Sequence, residues 1–169
     1  TVSVSCFVPK PFTPFQWEAQ DSLEEIHRKQ QLLARSITSK RINFHYHEGK
    51  TSVIEGVFAR GDKRLGRAIE RASELGQMMD AWGEHFSFER WQQVFEECGL
   101  TFEEYANRKR SFDEVLPWDV VDTGVTKAFF KSECEKAYAE STTPSCKEKC
   151  SGCGANKLGK ELTWCPKMK

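Results

Sequence analysis

The sequence predicts an α/β fold at its front, a mainly α-helical stretch behind it and a small Cys-rich tail. Period-two alternation in residues 1–8 and again in 42–47 flanks a helical pattern in 21–37, the strand–helix–strand rhythm of a parallel sheet. Between 50 and 140, apolar residues recur three and four apart in short runs broken by Gly. Four of the seven cysteines fall in the last 24 residues, in a segment poor in large apolar side chains.

Thr1–Val8 alternates small or polar with apolar residues and reads as a buried strand. Pro9, Pro11 and Pro14 then forbid both helix and ladder and predict an extended lip of fixed shape through Trp17. Asp21 and Glu24 form a capping box ahead of Leu23, Ile26, Leu33 and Ile37 on one helical face. A short strand follows, with Ile42, Phe44 and Tyr46 on one face and Asn43, His45 and His47 on the other. Ser52 and Glu55 cap a helix carrying Val53, Ile54, Val57 and Phe58, which Gly61 ends. Asp62 caps the next, with Leu65, Ile69 and Ala72 inward and Gly76 as its stop. Ser87 opens a third around Phe88, Trp91, Phe95 and Cys98, stopped by Gly99. Thr101 and Glu104 open a fourth around Phe102 and Tyr105. Leu116–Asp119 is a turn, and 124–140 fits a last helix. Composition shifts near Ser141, so the expected organisation is 1–49, 50–140 and a tail, 141–169.

Charge and composition narrow the classes. Lys and Arg total 25 and Asp and Glu total 25, so no global positive field steers the chain toward a polyanion. A 38% apolar and 12% aromatic content suffices for a core and argues against wholesale disorder. No stretch approaches a membrane span and no signal-peptide core opens the chain, so a cytoplasmic protein without a membrane partner is expected. Thr in place of Met, on a strand with no leading cap, suggests a segment of a longer protein.

The tail carries the strongest chemical signal. Cys146, Cys150 and Cys153 follow a C-x3-C-x2-C spacing with Gly152 and Gly154 between and after them, and Cys165 lies further on. Thiolates spaced around Gly can converge on one ion, and four suit a closed tetrahedral zinc site. Zinc would also provide ordering energy that this basic tail, with six Lys against two Glu, otherwise lacks. A flexible, reduced Cys-rich tail is the plainer alternative. The same spacing holds the [4Fe-4S] cluster of radical S-adenosylmethionine (radical SAM) enzymes, but only 16 residues follow Cys153, too few for a barrel. An auxiliary iron–sulfur cluster remains compatible with the spacing.

Other reactive types have plain readings beside the functional ones. His45 and His47, next to Glu48, share a strand face that suits metal ligation or simply a polar surface. Arg60, Arg64, Arg67 and Arg71 line up at helical spacing; a solvated helix face is preferred over an anion grip, because Glu70 and Glu74 share the helix. Glu84 beside His85 suits an acid–base pair, or belongs to a loop that Trp82 and Phe86 anchor. Arg60-Gly61-Asp62 reads as a helix junction, and Cys6, Cys98 and Cys134 as small core residues.

Several long segments together carry a family likeness. Val2–Trp17 (VSVSCFVPKPFTPFQW) resembles the last barrel strand and following loop of radical SAM proteins with an N-terminal cobalamin-binding domain. Ile54–Gly66 (IEGVFARGDKRLG), Trp82–Phe86 (WGEHF), Leu116–Asp119 (LPWD) and Cys146 with Cys150–Gly154 (CSGCG) are similar, in the same order, to later segments of those proteins. The likeness is to an uncharacterised bacterial group, often encoded or fused with a second domain of unknown function. It implies a parent enzyme that holds a [4Fe-4S] cluster and S-adenosylmethionine in a barrel and cobalamin in a separate domain. This chain would be the end of that barrel (strand, lip, helix, short strand), a helical extension and the Cys-rich tail, inactive alone. Val8, Pro9 and Lys10 would then lie at the barrel mouth, near cofactor or substrate. The relatives often carry another Cys where this chain has Ala155 and Asn156, which leaves the fourth ligand and the metal open.

The expected partners are the rest of the parent and the neighbouring domain. The rival reading makes 50–169 a zinc-stapled binding module whose tail touches RNA or a protein; Trp164 is the tail's one stacking residue, which gives nucleic acid little support.

Overall fold

A computed structural model describes residues 1–157. The chain is mixed α/β and mostly helical, and divides into two compact units. One comprises Thr1–Pro9 and Glu18–Lys109; the other comprises Lys10–Trp17 and the chain from Arg110 onward. Trp164 and Cys165 lie outside the described residues. No helix among the described residues is long and apolar enough to cross a membrane.

In the first unit, β1 (Val2–Val4) pairs parallel with β2 (Phe44–Tyr46), with Val2 opposite Phe44 and Val4 opposite Tyr46. The expected alternation holds in β2, where the Phe44 and Tyr46 rings lie 5.7 Å apart. The ladder is shorter than the alternation of residues 1–8 suggests, because β1 stops four residues before Val8. The crossover between the strands is α1 (Leu23–Ser36), capped by Ser22, whose Oγ accepts from the Glu25 N–H at 3.2 Å. Asp21, expected in a capping box, instead pairs with Lys29 at 2.6 Å. Only Ile26 and Gln30 of α1 are buried; Leu33, expected on the inner face, is 38% exposed. Gln30 Nε2 donates to the His47 carbonyl at 2.8 Å and ties the helix to the end of β2.

The second helix, α2 (Gly49–Arg60), is the centre of this unit, with Ser52, Val53, Ile54, Gly56, Val57 and Arg60 buried. Its cap is Glu48, about one turn ahead of the expected Ser52, whose own carbonyl accepts from Gln20 Nε2 at 2.8 Å. A Cβ on Gly56 would collide with Gln20 Oε1, so glycine is what lets that amide lie along the helix. In α3 (Leu65–Glu74), Leu65, Ala68 and Ala72 face inward as an i, i+3, i+7 stripe. Ile69 does not; it is 51% exposed, one position round the helix from the small Ala68 on which the close packing falls. Ser87 caps α4 (Phe88–Cys98), which buries Phe88, Trp91, Val94 and Phe95 and ends at Gly99 as expected.

The expected fourth helix is a widened π turn, Glu103–Asn107. The Thr101 hydroxyl does accept from the Glu104 N–H, at 3.2 Å, and Phe102 packs on Phe95 with ring centres 4.5 Å apart. What ends regular helix there is competition for carbonyls. Ala106 O accepts from Gln20 N at 2.9 Å and from Arg60 Nη1 at 2.7 Å, and Arg108 O accepts from Arg60 Nη2 at 2.9 Å. Arg60 therefore leaves the expected solvated arginine stripe altogether: it has no exposed surface. Arg64 and Arg71 do stand outward, on Asp62 and Glu104 and on Glu74 and Glu97 respectively.

The second unit gathers Trp17, Leu116, Trp118 and Phe130, with Phe12, Phe112, Val125 and Phe129 packed against them. Trp17 meets Phe112 edge-on at 4.8 Å, and the Arg110 guanidinium lies 5.0 Å over the Trp118 ring. The Pro-rich segment is not extended but turned. Thr13 Oγ1 donates to the Lys10 carbonyl at 2.8 Å, and the Gln16 N–H reaches the Thr13 carbonyl at 3.1 Å. Proline removes helix and ladder but leaves a hydroxyl-closed turn open to the chain. Thr126 caps α5 (Lys127–Tyr138), whose Cys134 is fully buried.

Removing Arg60 takes a charged donor from the Ala106 and Arg108 carbonyls, leaving Ala106 O with the Gln20 N–H alone in a buried site. Arg60→Met is expected to destabilise the chain by about 3 kcal/mol or more, against about 0.5 kcal/mol for Arg67→Met on the exposed face. Urea unfolding followed by tryptophan fluorescence reads the difference; equal midpoints would mean the guanidinium is not needed.

The surface carboxylates carry a pH dependence. A hydrogen bond from Arg28 holds Glu25 down to about 2, and Arg64, Arg71 and Lys136 lower Asp62, Glu97 and Glu133 by the same means. Groups depressed in the folded state lend stability above their unfolded values near 4, and that stability is lost as pH falls through the folded values. The melting temperature is expected to drop between about pH 5 and pH 2, and 1 M salt is expected to shrink the drop because the pairs are exposed. A melting temperature that rises on acidification would contradict this.

Candidate functional site

Three features of the structure bear on function: the open edge of the sheet, the cysteine segment, and a cleft in the second unit. The sheet consists of β1 and β2 alone among the described residues, and much of its apolar surface is uncovered. Val2, Phe7, Ile42 and Tyr46 are each 42–51% exposed. Between β1 and α1 lies a largely apolar cleft of about 220 Å³, lined by Val4, Cys6, Phe7, Ile26, Gln30 and Leu33. Val8, Pro9 and Lys10 follow the C-terminal end of β1; Pro9 is buried and Lys10 exposed.

Of the cysteines expected to hold a metal, Cys146, Cys150 and Cys153 are among the described residues and Cys165 is not. Cys146 is exposed, Cys150 and Cys153 are half-buried, and all three are free of disulfides. Among the described residues no group of three or more His, Cys, Asp or Glu is placed to hold a metal ion. The donor set is chemically right for zinc or an iron–sulfur cluster, but its arrangement there is not a cage. The segment is nonetheless docked. Cys153 O accepts from the Thr126 N–H at 2.9 Å, and a Cβ built on Gly154 would stand 2.6 Å from the Gly124 carbonyl oxygen. With φ at +100°, Gly154 occupies a conformation that side chains disfavour as well.

The remaining candidates separate. His45 and His47 are exposed, as are Glu84 and His85. Trp82, expected to anchor its loop, is 56% exposed; Phe86 packs on the core, and Asp80 fixes the loop by accepting from Trp91 Nε1 at 2.8 Å.

The cleft of the second unit has a volume of about 370 Å³. Phe12, Val125 and Phe130 give it an apolar wall, Gln16 lies in the wall only 3% exposed, and Asp119, Asp122 and Lys127 stand at its rim. Gln16 Oε1 accepts from the Phe12 N–H at 3.2 Å and from Trp118 Nε1 at 2.6 Å. Phe12 adopts φ +57°, an uncommon conformation for a bulky residue, and that bond helps to hold it there. Lys127 Nζ is taken up by Asp119 Oδ2 at 2.6 Å and by the Glu114 carbonyl at 2.9 Å. Sequence reasoning missed Gln16 and Phe12. The available signal was a Gln amid turn-forming prolines, a polar residue with no helical or strand face to explain it.

Gly154→Ala brings both strain and a backbone collision to the docked cysteine segment. It is expected to weaken that docking by about 1–3 kcal/mol and to speed alkylation of Cys150 and Cys153 by iodoacetamide about tenfold or more. Unchanged alkylation rates would show that the segment is not held by this contact.

Against known proteins, the chain matches no family model, no curated protein and no solved structure.

Proposed function

We propose that this chain is the C-terminal portion of a radical SAM enzyme, supplying a strand, a lip and a cover to a barrel, and not catalytic alone. The observation that carries this reading is the parallel pair β1–β2. Parallel strands occur in sheets buried on both faces, and two strands of three residues each cannot supply that environment for themselves. The exposed Val2, Phe7, Ile42 and Tyr46 and the apolar β1–α1 cleft are what further strands and helices would cover. Val8, Pro9 and Lys10 follow the C-terminal end of β1, the side on which parallel barrels place their chemistry. In this reading S-adenosylmethionine, the [4Fe-4S] cluster and cobalamin belong to the remainder of the parent, which is also the chain's first partner. Zinc or an auxiliary cluster at Cys146, Cys150, Cys153 and Cys165 is supported by donor type and spacing alone.

The chain is tested after anaerobic purification, reconstitution with iron and sulfide, and addition of S-adenosylmethionine and dithionite. No 5′-deoxyadenosine is expected, and the amides of Val2–Val4 and Phe44–Tyr46 are expected to exchange with deuterium far faster than those of α2. Formation of 5′-deoxyadenosine, or strands as protected as α2, would overturn the reading.

A further inference from the structure

The cleft of the second unit has chemistry of its own that the barrel reading does not use. The two groups that converge on the Gln16 oxygen, the Phe12 N–H and Trp118 Nε1, are both donors. The atom they share must therefore be the amide oxygen, and the amide NH2 is the end left over. That nitrogen has no protein partner among the described residues, and it is not one of the sealed, unmatched buried atoms: Gln16 is 3% exposed and lines the cleft. An N–H donor fixed in this way and open to the cleft is available to an acceptor that a ligand brings.

A second donor set stands beside it. Thr126 and Lys127 line the cleft where α5 begins, and the first-turn amides of Lys127 and Ala128 have no acceptor among the described residues. An aligned helix of this length favours negative charge at that end. Lys127 gives two of its three N–H donors to Asp119 Oδ2 and the Glu114 backbone carbonyl, and its charge is offset by Asp119.

The rim has the opposite sense. Asp119 uses Oδ2 for Lys127 and for the Leu116 N–H, and Asp122 uses Oδ1 for the Gly124 N–H. Each leaves one carboxylate oxygen without a partner among the described residues, and both residues are on the exposed side of the cleft. Two carboxylates against one lysine leave the rim net negative, which disfavours a free phosphate or other simple anion. It favours a molecule that brings its own cation.

Donors at the wall, acceptors at the rim and an apolar surface of Phe12, Val125 and Phe130 describe one ligand class. We propose that this cleft binds a free α-amino acid with an apolar side chain, as its zwitterion. The carboxylate accepts from the Gln16 amide and the opening of α5, the ammonium group meets Asp122 and Asp119, and the side chain lies on the aromatic wall. A cleft of about 370 Å³ is ample for a leucine or a phenylalanine and falls in the usual range for small-molecule sites. The proposal does not rest on the barrel reading and survives its failure.

The test is isothermal titration calorimetry of the full chain at neutral pH with L-leucine and L-phenylalanine, each beside two truncated probes. For leucine these are 4-methylpentanoate, which lacks the ammonium group, and isoamylamine, which lacks the carboxylate. At least one amino acid is expected to bind with a dissociation constant of about 1 mM or below, and its truncated probes about tenfold or more weaker. Gln16→Glu keeps an oxygen for Phe12 and Trp118 but replaces the NH2 donor with an acceptor, and is expected to weaken binding about tenfold or more. Asp122→Asn keeps the Gly124 contact and removes the rim charge, with a similar loss. Because Asp122 is exposed, that variant tests the proposal even if Gln16→Glu fails to fold, which circular dichroism reads directly. The proposal is overturned if neither amino acid saturates wild type by about 20 mM. It is equally overturned if the truncated probes bind as well as the amino acids, or if folded variants bind like wild type.

Discussion

The carbonyl oxygen of Ala106, in a residue with no exposed surface, cannot be left to solvent, and it accepts both the Gln20 N–H and the Arg60 guanidinium. That demand organises the first unit. It pulls the chain at 103–107 out of regular helix, keeps a cation buried at the end of α2, and fixes the segment leading into α1. Asn107 completes the junction by donating to the carbonyls of Gln20 and Asp21, at 3.0 and 2.9 Å. A buried guanidinium costs several kcal/mol in desolvation unless its donors are matched, so the arrangement persists only as a set. The core residues pack around this polar junction rather than replacing it: Tyr105 and Val57 are each 1% exposed or less.

The second unit uses the same device with a neutral group. Gln16 and Trp118 are 102 residues apart in the chain and share a 2.6 Å hydrogen bond in a buried setting. The Trp17 carbonyl adds a bond from the Arg110 N–H at 2.8 Å, so the Pro-rich segment is a structural member of this unit. Both units leave one end of a structural amide unused among the described residues: Gln20 is bound through Nε2 while its Oε1 has no partner, and Gln16 is bound through its oxygen while its nitrogen faces the cleft it lines. A scaffold that fixes an oxygen so firmly also fixes the nitrogen it does not use.

Periodic features were legible and polar burial was not. The apolar spacing of Phe88, Trp91 and Phe95, with Ser87 before and Gly99 after, sufficed to place α4, since each signal acts within one or two turns. The strand–helix–strand order of β1, α1 and β2 was readable for the same reason. Arg60 was not, because a burial decided by carbonyls 46 and 48 residues away leaves no local trace and its spacing matched the outward arginines. The start of α2 moved because Glu48 and Ser52 are both competent caps, and the Gln20 amide claimed the carbonyl of the second. Gln16 and Phe12 sit in turns, where side-chain direction follows no period. Cysteine spacing was plain in the tail, yet spacing alone does not bring Cys146, Cys150 and Cys153 together.

The brevity of β1 and β2 has a further effect on how the isolated chain behaves in concentrated solution. Bare parallel edges are templates for cross-strand stacking between molecules, the route by which unfinished sheets become fibrils. Three residues per strand offer only a few such bonds, fewer than the six or seven residues that a stable zipper spans. Its uncovered apolar side chains therefore favour shapeless, reversible clumping over ordered filaments.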